Sequence, residues 1–331
     1  MLRKDITCIL LFFLLAIAFL PGCGKKPQKP KLTSITIAFQ EWVGYGPFYL
    51  ADEKGFFKEE GIELVFVDEQ LDPARRDAFK QGMLDCEAGT LDLLISKAAQ
   101  DTPIVGAMKI DRSFGSDGIV AVENIRKLED LIGKRVALAR DDVGETFISA
   151  LFHENGLSLN NVIIVPKQLE EVSQAFLNGE ADACVTWEPQ LTKALERPGS
   201  HILTSTREQA AIIIDTLNVR RDLVENNPGL VKRLMRGWFK ALDFYNEHPN
   251  EASEIIAKYY KITPEQYRKQ VEGLLWETFE KQEYPAKYKE WVEVFDEIAE
   301  LKLANGRISQ KPDAAKFLNH TLLEKLYENS K

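Results

Sequence analysis

Apolar residues recur along this chain at two spacings, and the two alternate. Ile35–Phe39 shows the period of a strand. Pro47 to Ala51 opens a helix, with proline tolerated in a first turn, and Gly55 and Gly61 punctuate its end. A strand over Ile62–Val67, a helix from Asp72 to Gly82, a strand near Leu84–Ala88, a helix near Leu91–Gln100 and a strand near Ile104–Ile110 follow. The second half repeats the theme with a strand at Lys134–Ala139, a helix at Glu145–Glu154, a strand at Val162–Val165 and a helix at Glu170–Leu177. Such alternation predicts an α/β fold, a mainly parallel sheet with helices on both faces.

One junction occurs twice. Phe79-Lys80-Gln81-Gly82-Met83-Leu84-Asp85-Cys86 and Phe176-Leu177-Asn178-Gly179-Glu180-Ala181-Asp182-Ala183-Cys184 each read as a helix end, a left-handed glycine cap, two residues, an aspartate and an apolar strand. The matching order of elements around them predicts two similar lobes. Beyond Arg220 the pattern becomes helical. Asn227-Pro228 starts a long helix in which Val231, Leu234, Met235, Trp238, Phe239, Leu242 and Tyr245 keep core spacing. Further helices are expected near Glu251–Tyr260, Pro264–Glu277 and Ala286–Ala304.

The N-terminus changes the picture. A basic start, Arg3-Lys4, precedes an apolar run from Ile6 to Leu20 broken only by Thr7. That is the length of a signal peptide and short of the roughly 20 residues of a spanning helix. It ends in Leu20-Pro21-Gly22-Cys23, which resembles the bacterial lipobox, where the cysteine is acylated and the preceding peptide removed. Residues 1–22 are therefore expected to be a lipoprotein signal peptide, Cys23 the lipidated residue, and the Lys- and Pro-rich 23–31 an extended tether. Such a chain is extracytoplasmic and held to a membrane by its lipid.

The 331 residues leave room for two domains. A net charge of −9 argues against nucleic acid, which needs clustered Lys and Arg. Cys86 and Cys184 fall in different lobes, so they are expected to be buried free thiols. His153, His201, His248 and His320 are scattered, with no metal spacing, and there is no P-loop or Gly-x-Ser-x-Gly. No metal, cofactor or catalytic residue is predicted.

Several segments carry a family resemblance: Gly44-Tyr45-Gly46-Pro47-Phe48-Tyr49-Leu50-Ala51 with Lys54-Gly55-Phe56-Phe57 and Glu60-Gly61-Ile62; Asp117-Gly118-Ile119-Val120-Ala121; Leu131-Ile132-Gly133-Lys134-Arg135-Val136-Ala137; and Asp182-Ala183-Cys184-Val185-Thr186-Trp187-Glu188-Pro189. In this order, from Ile35 to about Asn250, the chain resembles the solute-binding proteins of nitrate, sulfonate and taurine ABC importers. The resemblance implies a two-lobed type II periplasmic-binding-protein fold with two crossover strands, near Ile119–Val122 and Leu217–Arg220, and C-terminal helices on the first lobe. Lobe 1 would be 32–120 plus 221–331 and lobe 2 would be 121–220. It also implies a monomer that closes on a small molecule and delivers it to a permease and its ATPase. A sensing subunit and, further off, a synthase like the thiamine-pyrimidine enzyme of the same fold remain alternatives, although the latter's Cys-rich tract is missing.

In such sheets ligands lie beyond the carboxyl ends of strands. The loop at Gln40–Gly46 offers Glu41, Trp42 and Tyr45, the aromatics suited to stacking on an apolar body or a cation. Thr90 is an N-cap or a hydroxyl donor to ligand. Ser113 and Asp117 are candidates in the loop that follows, with Asp117 alternatively bracing the hinge. In the second lobe Val143–Thr146 opens a helix that would cradle an anion, with Thr146 as contact. Trp187 and Glu188 end a strand, Glu188 alternatively complementing a helix dipole. Asp215, in the apolar stretch Ile212–Val219, needs a cationic partner in the protein or ligand. These loops hold many acids but only Arg112 and Arg140 as bases, which points to a ligand with a positive or donor-rich part, such as an amine, a nitrogen heterocycle or a zwitterion.

Overall fold

The computed structural model describes residues 32–68, 72–208, 212–282 and 286–328. The expected signal peptide, the expected tether and Cys23 lie outside them. The chain begins a first sheet with β1 (Thr33–Phe39), β2 (Ile62–Val67), β3 (Cys86–Thr90) and β4 (Ile104–Ser113). It then builds a second sheet from β5 (Asp117–Ala121), β6 (Arg135–Leu138), β7 (Ile163–Pro166), β8 (Ala183–Trp187) and β9 (His201–Ser205). Finally it returns to the first sheet as β10 (Ile214–Arg220) and β11 (Leu274–Trp276). The strand orders are β11-β4-β10-β3-β1-β2 and β7-β6-β8-β5-β9.

Three expectations need correction. The crossings lie at 114–116 and between the end of β9 and the start of β10, because Ile119–Ala121 already belongs to the second sheet and Leu217–Arg220 to the first. The sheets are mixed: β10 enters between β3 and β4 antiparallel to both, and β5 runs against β8 and β9. The helix from Pro264 stops at Val271, and Leu274–Trp276 pairs with the far end of β4, where an edge strand gains ladder bonds that another helical turn would forgo.

The repeated junction performs one task in both sheets. Gly82 and Gly179 take left-handed φ values of 70° and 77°. The N–H of the next residue then reaches back five residues, Met83 to Ala78 and Glu180 to Ala175. The following aspartates turn to neighbouring strands: Asp85 accepts the Thr36 N–H at 2.9 Å and Asp182 the Arg135 N–H at 3.0 Å. Cys86 and Cys184, in β3 and β8, are buried free thiols.

The long helix Pro228–Glu247 is opened by Asn227, whose side chain accepts the Leu230 N–H, and by Pro228 in the first turn. It lays Trp238, fully buried, on Phe48 with ring centroids 4.4 Å apart. Gly237 permits this approach, since a Cβ there would come within 2.4 Å of the Phe57 ring. Gly237→Ala is accordingly expected to destabilise the protein by about 1–3 kcal/mol, the usual cost of overpacking. Urea unfolding checks this, and an unchanged midpoint would contradict the packing described.

The helix Ala286–Ala304 does not sit on the first lobe alone. It packs on Leu91–Ala98 of the first and on Val143–Glu154 of the second. Lys302 donates to Asp92 at 3.4 Å and to Asp141 at 2.9 Å, and just beyond it Asn305 donates to the Ser149 hydroxyl at 2.9 Å. Arg307 grips Glu145 with two bonds of 2.7 Å.

Candidate functional site

Strand register assembles the site. In the first sheet Thr90 of β3 and Asp111 of β4 stand on either side of Asp215 in β10, so the three lie abreast at one end of the central strands. In the second sheet Asp117, the first residue of β5, stands opposite Trp187, the last of β8. The ends bearing these rows face one another. Trp42 and Tyr45, from the turn after β1, complete the junction.

Two adjoining cavities, sharing three wall residues, lie there. The outer one, about 400 Å³, is lined by Glu41, Trp42, Trp187 and Glu188 together with Gln40, Gln190, Tyr260 and Gln270. The inner one, about 20 Å³, is walled by Gln40, Trp42, Tyr45, Thr90, Asp117, Val143, Trp187, Ile213 and Asp215. Gln40 and both indoles belong to each, so the tryptophans stand where the chambers meet. Among the described residues, no Lys or Arg lines either cavity.

Eight of the ten sequence candidates therefore border the cavities, and two do not. Ser113 ends β4: its hydroxyl lies 2.7 Å from that of Thr206, which also accepts the Gly115 N–H at 2.8 Å, tying the two crossings together. Thr146 is buried away from the cavities and bonds Asp92 at 3.4 Å. The helix N-terminus at Val143–Thr146 is not an open anion cradle. Glu145 folds back to accept the Asp141 N–H and is clasped by Arg140 and Arg307; burial opposes its charge, but these partners win and hold its pKa low. Arg112, the other base counted in the loops, bonds Glu277 at 2.7 Å.

Thr90 is at the N-cap position of the helix Leu91–Ala98, as expected, but its side chain makes no capping bond. Its hydroxyl oxygen is buried without a partner. Glu188 lines the outer cavity and accepts the N–H and hydroxyl of Thr192 at 3.1 and 2.8 Å. Asp111 belongs to the site although only its charge drew notice in the sequence. It accepts the Trp42 indole N–H at 3.2 Å and adjoins Asp215, which accepts the Tyr45 hydroxyl proton. Gly44 allows that arrangement, since a Cβ there would fall 2.1 Å from the Asp111 carboxyl.

Burial, rather than any base, governs these acids. Desolvation pushes Asp117 up to about 7, helped by the charges of Asp215, Asp142 and Asp92 and opposed by the Ser113 hydroxyl. Desolvation likewise raises Asp215 to about 6 against the bonds from Tyr45 and Asp111. It drives Asp111 well above the carboxylate range, with Asp215 adding to the rise. Near neutrality Asp111 keeps its proton and Asp117 is poised between its two forms, and a cation would favour their charged forms.

Two mixed α/β sheets joined by two crossings, with a cavity where their strand ends meet, define a two-lobed binding protein of the periplasmic type II architecture. The periplasmic aliphatic sulphonate binding protein of Escherichia coli superposes with a TM-score of 0.74 at 16% identity, over 87% of this chain and 92% of that one. The chain belongs to the NMT1/THI5-like family, whose model matches residues 42–252. A Bacillus subtilis (strain 168) protein named for binding aliphatic sulfonates is 28% identical over 330 residues, 96% of each chain. The taurine-binding periplasmic protein of Escherichia coli (strain K12) is 27% identical over 221 residues, 66% of this chain and 68% of its own.

Proposed function

We propose that this protein is the extracytoplasmic substrate-binding component of an ABC importer. It captures a small polar nitrogen- or sulfur-containing metabolite between its lobes and presents it to a permease with its ATPase. It is a binding protein and not an enzyme. One observation carries the reading: a cavity of about 400 Å³, the size of a small-molecule site, with Trp42 from one lobe and Trp187 from the other in its wall. A ligand touching both indoles favours the closed state, and closure is what a permease can recognise. The relatives named for sulfonates and taurine support the same role.

The test is a thermal-shift screen of amines, pyrimidines, sulfonates and nitrate, since a ligand confined to the folded state raises its melting temperature. Trp187→Ala is expected to weaken any hit about 30-fold or more, the loss typical of a buried aromatic contact, read by calorimetry. An unaltered affinity would remove the cavity from the binding site. Lipid anchoring through Cys23 belongs to the same proposal: labelled fatty acid should enter the wild type and not Cys23→Ser.

A further inference from the structure

We propose that the inner chamber is the subsite for a primary ammonium group of the ligand, with the outer cavity taking the rest of the molecule. This rests on the binding reading above and specifies its ligand class. The chamber, about 20 Å³, is the size needed by one water-sized group. That excludes bulky heads and matches –NH3+.

The walls match its chemistry. An ammonium group has three N–H donors and no acceptor, and the carboxyls of Asp117 and Asp215 and the hydroxyl of Thr90 are among the acceptors that border the chamber. The Thr90 oxygen is the independent sign of a missing partner. The residue is 6% exposed and borders the chamber, and its hydroxyl has no partner although its backbone begins a helix. The hydroxyls of Thr102, Ser116 and Thr186 are also buried without partners, but of these four only Thr90 borders the chamber. Trp42 and Trp187 at the mouth add ring systems that attract cations. Asp111 adjoins Asp215, and buried or half-buried bases of this lobe are already engaged, Lys302 with Asp92, Arg75 with Glu87 and Arg112 with Glu277. A sulfonate or nitrate head in the chamber would face Asp117 and Asp215 with no Lys or Arg in the wall to offset them. The carboxyls do not converge as a metal site, since no metal-binding group of His, Cys, Asp or Glu occurs among the described residues.

Ethylammonium chloride, ethanesulfonate and tetraethylammonium chloride, titrated at equal ionic strength with tryptophan fluorescence as readout, test the assignment. A saturable response to ethylammonium alone is expected. It should weaken at least tenfold in Asp117→Asn and about threefold to tenfold in Thr90→Val, which removes the hydroxyl and keeps the side-chain shape. A stronger response to ethanesulfonate would overturn the ammonium subsite while leaving the binding protein intact. Equal responses to both ammonium salts, or wild-type titration by Asp117→Asn, would also overturn it. No response to any salt rejects the ammonium group, and the screen and the Trp187 variant then judge the binding reading alone.

Discussion

Replacing Lys302 by methionine is expected to lower the unfolding free energy by about 3–5 kcal/mol, the range for stripping one partner from a buried ion pair. The Lys302 side chain is 3% exposed and that of Asp92 is 2%. Burial opposes the lysine's charge, but Asp92 and Asp141 prevail and raise its pKa. Methionine fills similar space and leaves the Asp92 carboxylate shut away from water, with only Thr146 bonding it from the second lobe. Adding Asp92→Asn should restore most of the loss, because the damage lies in the stranded charge and not in the missing bond. Urea unfolding of the four proteins in the cycle decides the matter. A loss below about 1 kcal/mol, the size of a surface ion pair, would show that this contact between the lobes contributes little.

The second large effect follows from Asp117. An aspartate titrates near 3.9 in an unfolded chain and at about 7 in this fold. Between those values the folded protein keeps a proton that the unfolded chain has released, so stability falls as pH rises. The penalty is absent below roughly pH 4 and complete above roughly pH 7, and the shift corresponds to about 4 kcal/mol for this one group. Asp142, raised to about 7, and Asp215, raised to about 6, act in the same sense. Asp117→Asn removes the penalty and still accepts the Ser113 hydroxyl. The ligand-free variant should therefore melt with the wild type at pH 4 and well above it at pH 8, although it binds ethylammonium worse. A variant less stable than the wild type at pH 8 would mean that Asp117 is ionised and satisfied in the empty protein.

Local order was legible where spacing alone decides it. The strand Ile62–Val67 and the helix Ala286–Ala304 have the bounds that periodicity implies. Trp42 and Trp187 could be singled out because a large aromatic in a strand-end loop is conspicuous. The row Thr90–Asp215–Asp111 was not legible as a row, because its members are far apart in sequence and meet only through the register of three strands. Tyr260 and Gln270 were missed because helices near the C-terminus carry only a packing signal until their position over the cavity is known. The crossings were set too late along the chain: apolar runs such as Ile119–Ala121 and Leu217–Val219 look alike whichever sheet they join. The buried cluster of Arg75 and Lys97 around Glu87 left no trace in the pattern either, since hydropathy places such residues outside.

The insertion of β10 between β3 and β4 also sets an order of assembly. Until β10 is placed, the first sheet has a gap at its middle that nothing upstream can fill, while every strand of the second sheet comes from the contiguous stretch 117–205. Short-range sheets close faster than those joining distant segments. The later-numbered body should thus acquire protection from hydrogen exchange during refolding before the one that starts the chain, and Asp215 and Asp111 become neighbours only when that last central strand slots home.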